Sequence, residues 1–300
     1  MKTEYILLII LGALFLIAAL VTLASYICYR MTFMRKIYGP INPHDALESE
    51  GIRPYRDEAI RLISELSATP CEEIRIKSRD GLTLYGRYYK GEPGAPVEIQ
   101  MHGYRSSALR DFSGGTLASL KKGRHLILVD QRSHGYSDGR SITFGIKERW
   151  DCIEWINYAA EKFGKSTPVV IVGLSMGAAT VMMATGERLP SNVICCIEDC
   201  GFTSLWEQYS TQIREKIKIS PDVILKVVNS VAKVKLKCAL TDISPLEAVQ
   251  KSKTPTLFIH GDKDDFVPFW MNYPLYKYAS CEKERLVVED ATHAASAYLY

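Results

Sequence analysis

The sequence lacks a strong excess of charge of either sign. It carries 37 lysines and arginines against 34 aspartates and glutamates, which leaves a net charge of +3. It also has no basic arm, no zinc-ligand spacing, no internal repeat and no low-complexity tract. The usual sequence signatures of nucleic-acid binding are therefore missing, and no nucleic-acid partner is expected. Hydrophobic residues make up 47% of the chain, as in a folded globular protein, and the oligomeric state is left open.

Cysteine is present, but without the spacing of a metal site or a disulfide scaffold. The eight cysteines are scattered, and no pair has the C-x-x-C spacing. Cys195, Cys196 and Cys200 lie close together in an apolar, strand-like stretch. Because a small-domain disulfide framework is not indicated, we expect reduced thiols that serve as small core residues.

One long hydrophobic run lies near the N-terminus. Residues 5–29 contain no charged side chain. As a helix they would span roughly 37 Å, enough to cross the hydrocarbon core of a bilayer. A secretory signal peptide has a shorter apolar core and a small-residue cleavage site, and neither is clear here. The run predicts a single-pass membrane anchor over residues 1–30, with a cleaved signal as the alternative.

The charges on the two sides of this run bear on its orientation. Arg30, Arg35 and Lys36 follow the run, whereas Lys2 precedes it and is offset by Glu4. Positively charged residues next to a membrane span tend to stay on the cytoplasmic side. The balance slightly favours a cytoplasmic domain held at the cell membrane, and the orientation is left open.

Turn signals and apolar runs divide the rest of the chain. Residues 31–69 hold several Xaa-Pro pairs and one short amphipathic stretch, which predict a juxtamembrane linker and a helix. A turn at Asp80 and Gly81 then joins two alternating runs as a hairpin. Strands and helices alternate over residues 70–300, which predicts an α/β domain whose mostly parallel sheet is covered by helices on both faces.

The alternation is interrupted by an insertion over about residues 203–250. A helical pattern there places four apolar residues on one face, with lysines around it: Ile224, Val227, Val228 and Val231. Three interpretations fit this helix. It could be a lid that covers the carboxyl end of the sheet and lines an acyl pocket, a packing helix with a solvated basic face, or a helix that touches anionic lipid.

The motif "GLSMG" carries the most chemical information. Gly173 and Gly177 flank Ser175 directly after an apolar, β-branched run. A sharp turn from strand to helix needs small residues where backbones crowd, and it would leave the Ser175 hydroxyl exposed. A serine nucleophile needs a general base, usually a histidine that a carboxylate orients. Of the six histidines, His293 lies just after the last predicted strand, and "HGDKDDFVP" supplies carboxylates before it.

Six short motifs follow one another along the chain: "MHGYRSS", "DQRSHGYSDG", "GLSMG", "DCGFTS", "HGDKDDFVP" and "ATHAAS". Over residues 70–300 the chain resembles the α/β-hydrolases of the serine-hydrolase type. It is similar to bacterial membrane-anchored members of the esterase or serine-aminopeptidase kind. The resemblance implies the α/β-hydrolase fold with a small helical lid, preceded here by one transmembrane helix. It also implies that neither a metal nor an organic cofactor is needed.

Residue by residue, the resemblance implies a catalytic triad and an oxyanion hole. The nucleophile matches Ser175, the acid matches Asp264 and the base matches His293. The backbone N–H groups of Met176 and Tyr104 would form the oxyanion hole.

Two neighbouring carboxylates compete with Asp264 for the role of the acid. Asp262 directly follows Gly261 and is expected to shape the turn that leaves the strand. Asp265 is expected to be solvated or to stabilise the turn. The family pattern H-G-x-x-D-x-x-V-P selects Asp264.

The chain ends at Tyr300, soon after His293. Relatives of this kind usually continue into another helix, so we expect the sequence to be incomplete at this end. A missing helix would leave an apolar face of the sheet exposed and let the histidine loop move.

The expected function is hydrolysis of a carboxylic ester or related acyl compound through an acyl-serine intermediate. The expected partners are a small-molecule acyl substrate and the membrane. A thioester or a small peptide is chemically possible at the same centre, because a triad and an oxyanion hole serve any acyl transfer. The alternative from another class is a catalytically silent, membrane-tethered binding module. The presence of all three triad residues argues against it, although fold alone does not decide.

Overall fold

An eight-stranded sheet forms the centre of the computed structural model, as the alternation of strands and helices predicts. The strands are β1 (Glu72–Lys77), β2 (Thr83–Tyr89), β3 (Val97–Met101), β4 (His125–Asp130), β5 (Val169–Leu174), β6 (Val193–Asp199), β7 (Thr256–Gly261) and β8 (Lys283–Val288). They lie side by side in the order β1-β2-β4-β3-β5-β6-β7-β8. The first two strands form the predicted antiparallel hairpin, β2 is also antiparallel to β4, and the later pairs are parallel. The predicted fold class is confirmed.

The structure describes residues 2–35, 52–216, 218 and 220–299. Part of the predicted juxtamembrane linker, residues 36–51, lies outside the described residues. Two short 3-10 helices, Arg53–Tyr55 and Phe269–Met271, precede α2 and α9 of the following set. The α-helices are α1 (Lys2–Phe33), α2 (Arg56–Ala68), α3 (Ala108–Lys121), α4 (Glu148–Phe163), α5 (Met176–Thr185), α6 (Leu205–Lys216), α7 (Asp222–Leu236), α8 (Pro245–Val249), α9 (Asn272–Tyr278) and α10 (Ser296–Leu299).

The side chains of β4 show how helices cover both faces of the sheet. Ile127 and Val129 pack with α4 in one apolar cluster, whereas Leu126 and Leu128 pack with α2 and α3 in another. Successive side chains of a strand point to opposite faces of a sheet. The sheet is therefore buried on both sides, which explains why its central strands are continuous apolar runs in the sequence.

Between β6 and β7 the chain forms α6, α7 and α8, in the region where the sequence predicts an insertion. The buried residues of α7 are Leu225, Val228, Ala232 and Leu236. Of the four residues predicted to face inward, Val228 alone is buried and the other three are half-buried, so the predicted face is displaced. The reason is that α7 contacts both α1 and α6, and its buried surface faces these helices rather than one side of the sheet.

The N-terminal helix α1 continues to Phe33, past the end at residue 30 that the sequence predicts. Its most apolar 18-residue window has a mean hydropathy of 3.1, and none of that window is buried. Among the described residues it is the one helix whose length and composition would allow it to cross a membrane. Near its end, however, Ser25, Tyr29 and Phe33 are buried against the domain. Their spacing of four residues places them on one face of the helix.

A buried carboxylate holds the loop between β4 and α4. Glu148 accepts hydrogen bonds from the backbone N–H groups of Thr143 and Gly145, at 2.8 and 2.9 Å, and from the Thr143 hydroxyl at 2.5 Å. Phe144, which lies between them, has a φ of +53°, a left-handed conformation that few side chains adopt. The carboxylate thus stabilises the turn and fixes the position of Phe144.

Removal of this carboxylate should destabilise the protein. In Glu148→Ala two buried N–H groups lose their acceptor, so the free energy of unfolding should fall by about 2–4 kcal/mol. The matched control is Glu161→Ala on the same helix, because Glu161 is exposed and its loss should change stability by less than about 0.5 kcal/mol. Thermal unfolding of the two detergent-solubilised variants measures the difference, and equal melting temperatures would contradict this role of Glu148.

Candidate active site

Ser175 lies on a strained turn between β5 and α5. Its φ of +54° and ψ of −114° are sparsely populated by residues with a side chain. A Cβ atom at Gly173 would overlap the backbone of Gly177, and a Cβ atom at Gly177 would overlap the backbone of Met101 in β3. Only glycine fits at these two positions, as the crowding argument from the sequence predicts. The turn presents the Ser175 hydroxyl at the carboxyl end of the sheet.

His293 connects the other two residues of the predicted triad. Its Nδ1 atom lies 2.7 Å from Oδ2 of Asp264, and its Nε2 atom lies 3.0 Å from Oγ of Ser175. Because a carboxylate faces Nδ1, the proton of the neutral ring belongs on that atom, and Nε2 is left to accept a proton from Ser175. The structure therefore brings together three residues from three separate loops, in the chain order serine, aspartate, histidine.

Asp264 is surrounded by hydrogen-bond donors. Its Oδ1 atom accepts from the backbone N–H groups of Phe266 and Val267 at 3.0 and 2.9 Å. Its Oδ2 atom faces His293 and also lies 3.3 Å from Nε2 of His260. Burial raises the pKa of Asp264, but the hydrogen bonds from His260 and His293 outweigh burial and lower the pKa to about 2. The carboxylate is therefore ionised at every pH at which a neutral histidine can act as a base.

The two other aspartates of this loop occupy different positions. Oδ1 of Asp262 accepts a hydrogen bond from the N–H group of Asp290 at 2.7 Å, which ties two turns together. The Asp265 side chain is exposed. Of the three aspartates, Asp264 is the one that contacts His293 within the described structure.

His260 belongs to this site although its sequence context did not single it out. Its ring is fully buried, and its Nε2 atom lies 2.9 Å from the carbonyl oxygen of Val267 and 3.3 Å from Oδ2 of Asp264. Burial lowers the pKa of His260, but the hydrogen bond with Asp264 and the negative charges of Asp264 and Glu198 together outweigh burial and raise it. The one sequence feature that could have indicated this contact is the spacing of four residues between His260 and Asp264 across a tight turn.

The loop after β3 is shaped by a carboxylate from α3. Asp111 accepts hydrogen bonds from the N–H group of Gly103 at 2.7 Å and from the Ser106 hydroxyl at 2.5 Å. Tyr104 follows in this loop and lines the same cavity as Met176, the first residue of α5. The structure thus places both residues with the predicted oxyanion donors around one cavity. No motif in the sequence indicated the part that Asp111 has in shaping the loop.

A cavity of about 250 Å³ lies over Ser175. Its walls come from α1, α5 and α6 and from the loops that follow five strands of the sheet, β3 to β7. None of the lining side chains that the structure describes carries a charge, and most of them are apolar or aromatic. The lining residues are Thr32, Tyr104, Phe144, Ser175, Met176, Phe202, Leu205, Gln208, Tyr209, Gln212, Phe266 and Val267.

The end of α1 forms part of this cavity, which the sequence analysis did not predict. The Tyr104 hydroxyl donates a hydrogen bond to the carbonyl oxygen of Thr32 at 2.7 Å. The Arg105 guanidinium donates to the carbonyl oxygens of Met31 and Met34, the second at 3.3 Å. Carbonyl groups in the last turn of a helix have no partner within the helix, and here the loop after β3 supplies donors for them. The helix end and this loop are therefore joined by several hydrogen bonds.

One group in the described part of the chain resembles a metal site. Cys200, Asp264 and His293 offer ligand atoms that lie within 4.8 Å of one another. Two of these residues are hydrogen-bonded to each other, and burial raises the pKa of Cys200 well above its usual value. A metal binds the thiolate rather than the neutral thiol, so the donor set fits a metal poorly.

Comparisons with known proteins agree with the fold and the motifs. Residues 130–293 match the prolyl oligopeptidase family. The uncharacterized protein YqkD of Bacillus subtilis (strain 168) is 27% identical, over 71% of this chain and 72% of YqkD. A solved esterase from Pyrococcus furiosus has a TM-score of 0.62 at 22% identity, over 77% of this chain and 85% of its own. The acylaminoacyl peptidase of Pyrococcus horikoshii has a TM-score of 0.58 at 20% identity, over 79% of this chain and 39% of its own.

The two kinds of comparison support different conclusions. The likeness to the two solved structures establishes the fold and no more, because their sequences are only distantly similar to this one. The family match covers more than half of the chain and includes Ser175, Asp264 and His293. The chain belongs to the prolyl oligopeptidase family, and it is a serine hydrolase.

Proposed function

We propose that Ser175 is the nucleophile of an acyl transfer that hydrolyses a carboxylic ester. The observation that carries this proposal is the position of His293, whose two ring nitrogens reach the Ser175 hydroxyl and the Asp264 carboxylate. A base within hydrogen-bond reach of a serine, itself oriented by a carboxylate, is the arrangement that activates a serine nucleophile.

In the first half of the reaction, Oγ of Ser175 attacks the ester carbonyl carbon while Nε2 of His293 takes the hydroxyl proton. The carbonyl oxygen becomes an oxyanion, which accepts hydrogen bonds from the backbone N–H groups of Tyr104 and Met176. His293 then gives its proton to the leaving alkoxide as the carbon–oxygen bond breaks. The alcohol departs, and the acyl group remains bound to Ser175.

In the second half, a water molecule takes the place of the alcohol. His293 accepts one proton from the water, whose oxygen adds to the acyl carbon, and the same oxyanion site stabilises the negative charge. When the bond to Ser175 breaks, the proton passes from His293 to Oγ and the carboxylic acid leaves. Asp264 stays ionised throughout, so it holds the ring in one tautomer and stabilises the imidazolium.

The cavity favours an ester over a peptide with a free amino terminus. An ammonium group buried without an anionic partner is strongly disfavoured, and the lining residues within the described part of the chain include no carboxylate. The similarity to the esterase of Pyrococcus furiosus supports the same choice. A thioester shares the chemistry of the site, and the similarity to an acylaminoacyl peptidase keeps a small peptide as the second candidate. The complete hydrogen-bonded relay argues against a silent binding module.

We also propose that α1 anchors the chain in the cell membrane, with the domain boundaries at residues 30 and 69 that the sequence suggests. A cleaved signal sequence is the alternative. The burial of Tyr29 and Phe33 in an apolar cluster of the domain argues against cleavage, because removal of the helix would expose that cluster. The charges that flank the helix favour the cytoplasmic side for the hydrolase domain.

Labelling with a fluorescent fluorophosphonate tests the nucleophile. The reagent reacts with an activated serine, so membranes that contain the wild-type chain should show a labelled band at 33.7 kDa, and membranes with Ser175→Ala should not. Ser230→Ala is the matched control, since this serine is exposed on α7, and it should label like the wild type. Equal labelling of Ser175→Ala would remove Ser175 as the nucleophile. Absence of labelling in all three folded proteins would favour the silent module.

The identity of the acid is tested by a pair of amide substitutions. Asp264→Asn removes the negative charge that stabilises the imidazolium and favours the wrong tautomer of His293, so kcat should fall by about 10⁴-fold. Asp265→Asn should cost little, because the Asp265 side chain is exposed and does not face the ring. Steady-state kinetics with 4-nitrophenyl acetate measure both variants. If kcat fell strongly in Asp265→Asn while Asp264→Asn stayed active, the acid of the triad would be Asp265 instead.

Membrane extraction tests the anchor. The apolar surface of α1 is stable only in a hydrocarbon environment, so detergent should be needed to release the full-length chain from membranes. High salt and alkaline carbonate should leave it in the membrane pellet, as measured by immunoblotting of the two fractions. Release of the intact chain by salt or carbonate would show peripheral attachment instead.

A further inference from the structure

The buried side chains of α1 divide this helix into two parts. Residues 3–24 are exposed apart from the half-buried Val21, whereas Ser25, Tyr29 and Phe33 are buried against the domain. At 1.5 Å per residue the exposed part is roughly 33 Å long, which matches the hydrocarbon core of a bilayer. With the exposed part in the membrane, the contacts between helix and domain begin where the hydrocarbon core ends.

The end of the helix also reaches the candidate active site. Thr32 lies roughly 10 Å further along the helix axis than Ser25. It lines the cavity that contains Ser175, and its carbonyl oxygen accepts the hydrogen bond from Tyr104. One wall of the cavity is therefore the last turn of the helix that would cross the membrane.

A second helix of the domain carries side chains of the kinds that contact lipid. Helix α7 packs against α1, and its exposed residues include the apolar Val223 and Val234 together with Lys226, Lys233 and Lys235. Exposed apolar and basic side chains on one helix are typical of helices that lie against anionic lipid. The helix of the insertion that packs on α1 is thus also suited to the bilayer surface.

We propose that the substrate is a long-chain acyl ester dissolved in the bilayer, whose acyl chain reaches Ser175 past Thr32. This inference deepens the proposed function and rests on it and on the membrane anchor. An ester that partitions into the bilayer is concentrated in the plane where α1 holds the enzyme. Its chain then passes roughly 10 Å along the end of α1 and enters a cavity whose described lining side chains carry no charge.

The cavity volume determines how much of the chain it encloses. Most of the described lining side chains are apolar or aromatic, so part of an acyl chain packs against them inside the cavity. Each methylene that leaves water for an apolar surface contributes a factor of about four to binding. The kcat/KM of an ester should therefore rise with chain length while added methylenes find room in the cavity, and a longer chain extends from the cavity toward the bilayer.

The presentation of the substrate tests whether the bilayer is its source. The full-length protein is reconstituted in dioleoylphosphatidylcholine vesicles, and 4-nitrophenyl palmitate is placed either in the same vesicles or in separate vesicles without protein. At equal total concentrations, release of 4-nitrophenol should be at least about tenfold faster when enzyme and ester share a membrane, because confinement raises the effective concentration. Equal rates in the two arrangements would overturn the proposal.

A pair of tryptophan substitutions tests the wall formed by α1. Thr32→Trp places a bulky ring where the chain enters, so the ratio of 4-nitrophenyl octanoate turnover to acetate turnover should fall by at least about tenfold. The matched control is Ile27→Trp, at an exposed position about 140° around the helix axis from Thr32, and its ratio should equal that of the wild type. Because both rates come from one preparation, their ratio does not depend on the amount of folded protein.

The proposed function and this inference fail in different ways. Hydrolysis of the acetate through Ser175, with no gain for the octanoate and an unchanged ratio in Thr32→Trp, would overturn the membrane-derived substrate and leave the hydrolase assignment intact. Absence of hydrolysis of all three esters, together with absence of fluorophosphonate labelling, would overturn both.

Discussion

The close approach of Gly177 to Met101 is the constraint on which the site depends. The backbone at the start of α5 touches the backbone of β3, and no side chain fits between them. Because α5 begins there, Ser175 adopts a positive φ, and the loop that carries Tyr104 comes to lie at the same cavity as Met176. Every residue of α5 is buried. Packing around this helix therefore maintains the turn at Ser175 despite the strain in the backbone of that residue.

Much of this site could be predicted from the sequence because its parts are local. The turn between β5 and α5 needs glycine two residues before and two residues after Ser175. The acid needs donors nearby in the chain, and Phe266 and Val267 supply them to Asp264. The alternation of apolar strands and amphipathic helices reflects a sheet that is buried on both faces, so the fold class also followed from local pattern.

The features that the sequence did not reveal depend on contacts between distant segments. Thr32 lies in the last turn of an apolar helix whose composition hardly changes along its length, and only the folded chain shows that this turn meets Tyr104. The buried face of α7 differs from the predicted one because α7 packs against the same helix. A hydrophobic pattern does not indicate which neighbouring element will cover it. His260 and Asp111 act through buried hydrogen bonds, which leave no periodic signal in the sequence.

The hydrogen bonds at the end of α1 join this helix mechanically to the loop beside the nucleophile. Rotation of the helix by a single residue position would turn Thr32 by about 100°, away from the Tyr104 hydroxyl that holds it. The Arg105 guanidinium, which binds the neighbouring carbonyl groups, resists the same rotation. Torque and tilt that act on the exposed part of the helix are therefore transmitted to the loop after β3. The position of the loop that carries Tyr104 therefore depends on the orientation of α1.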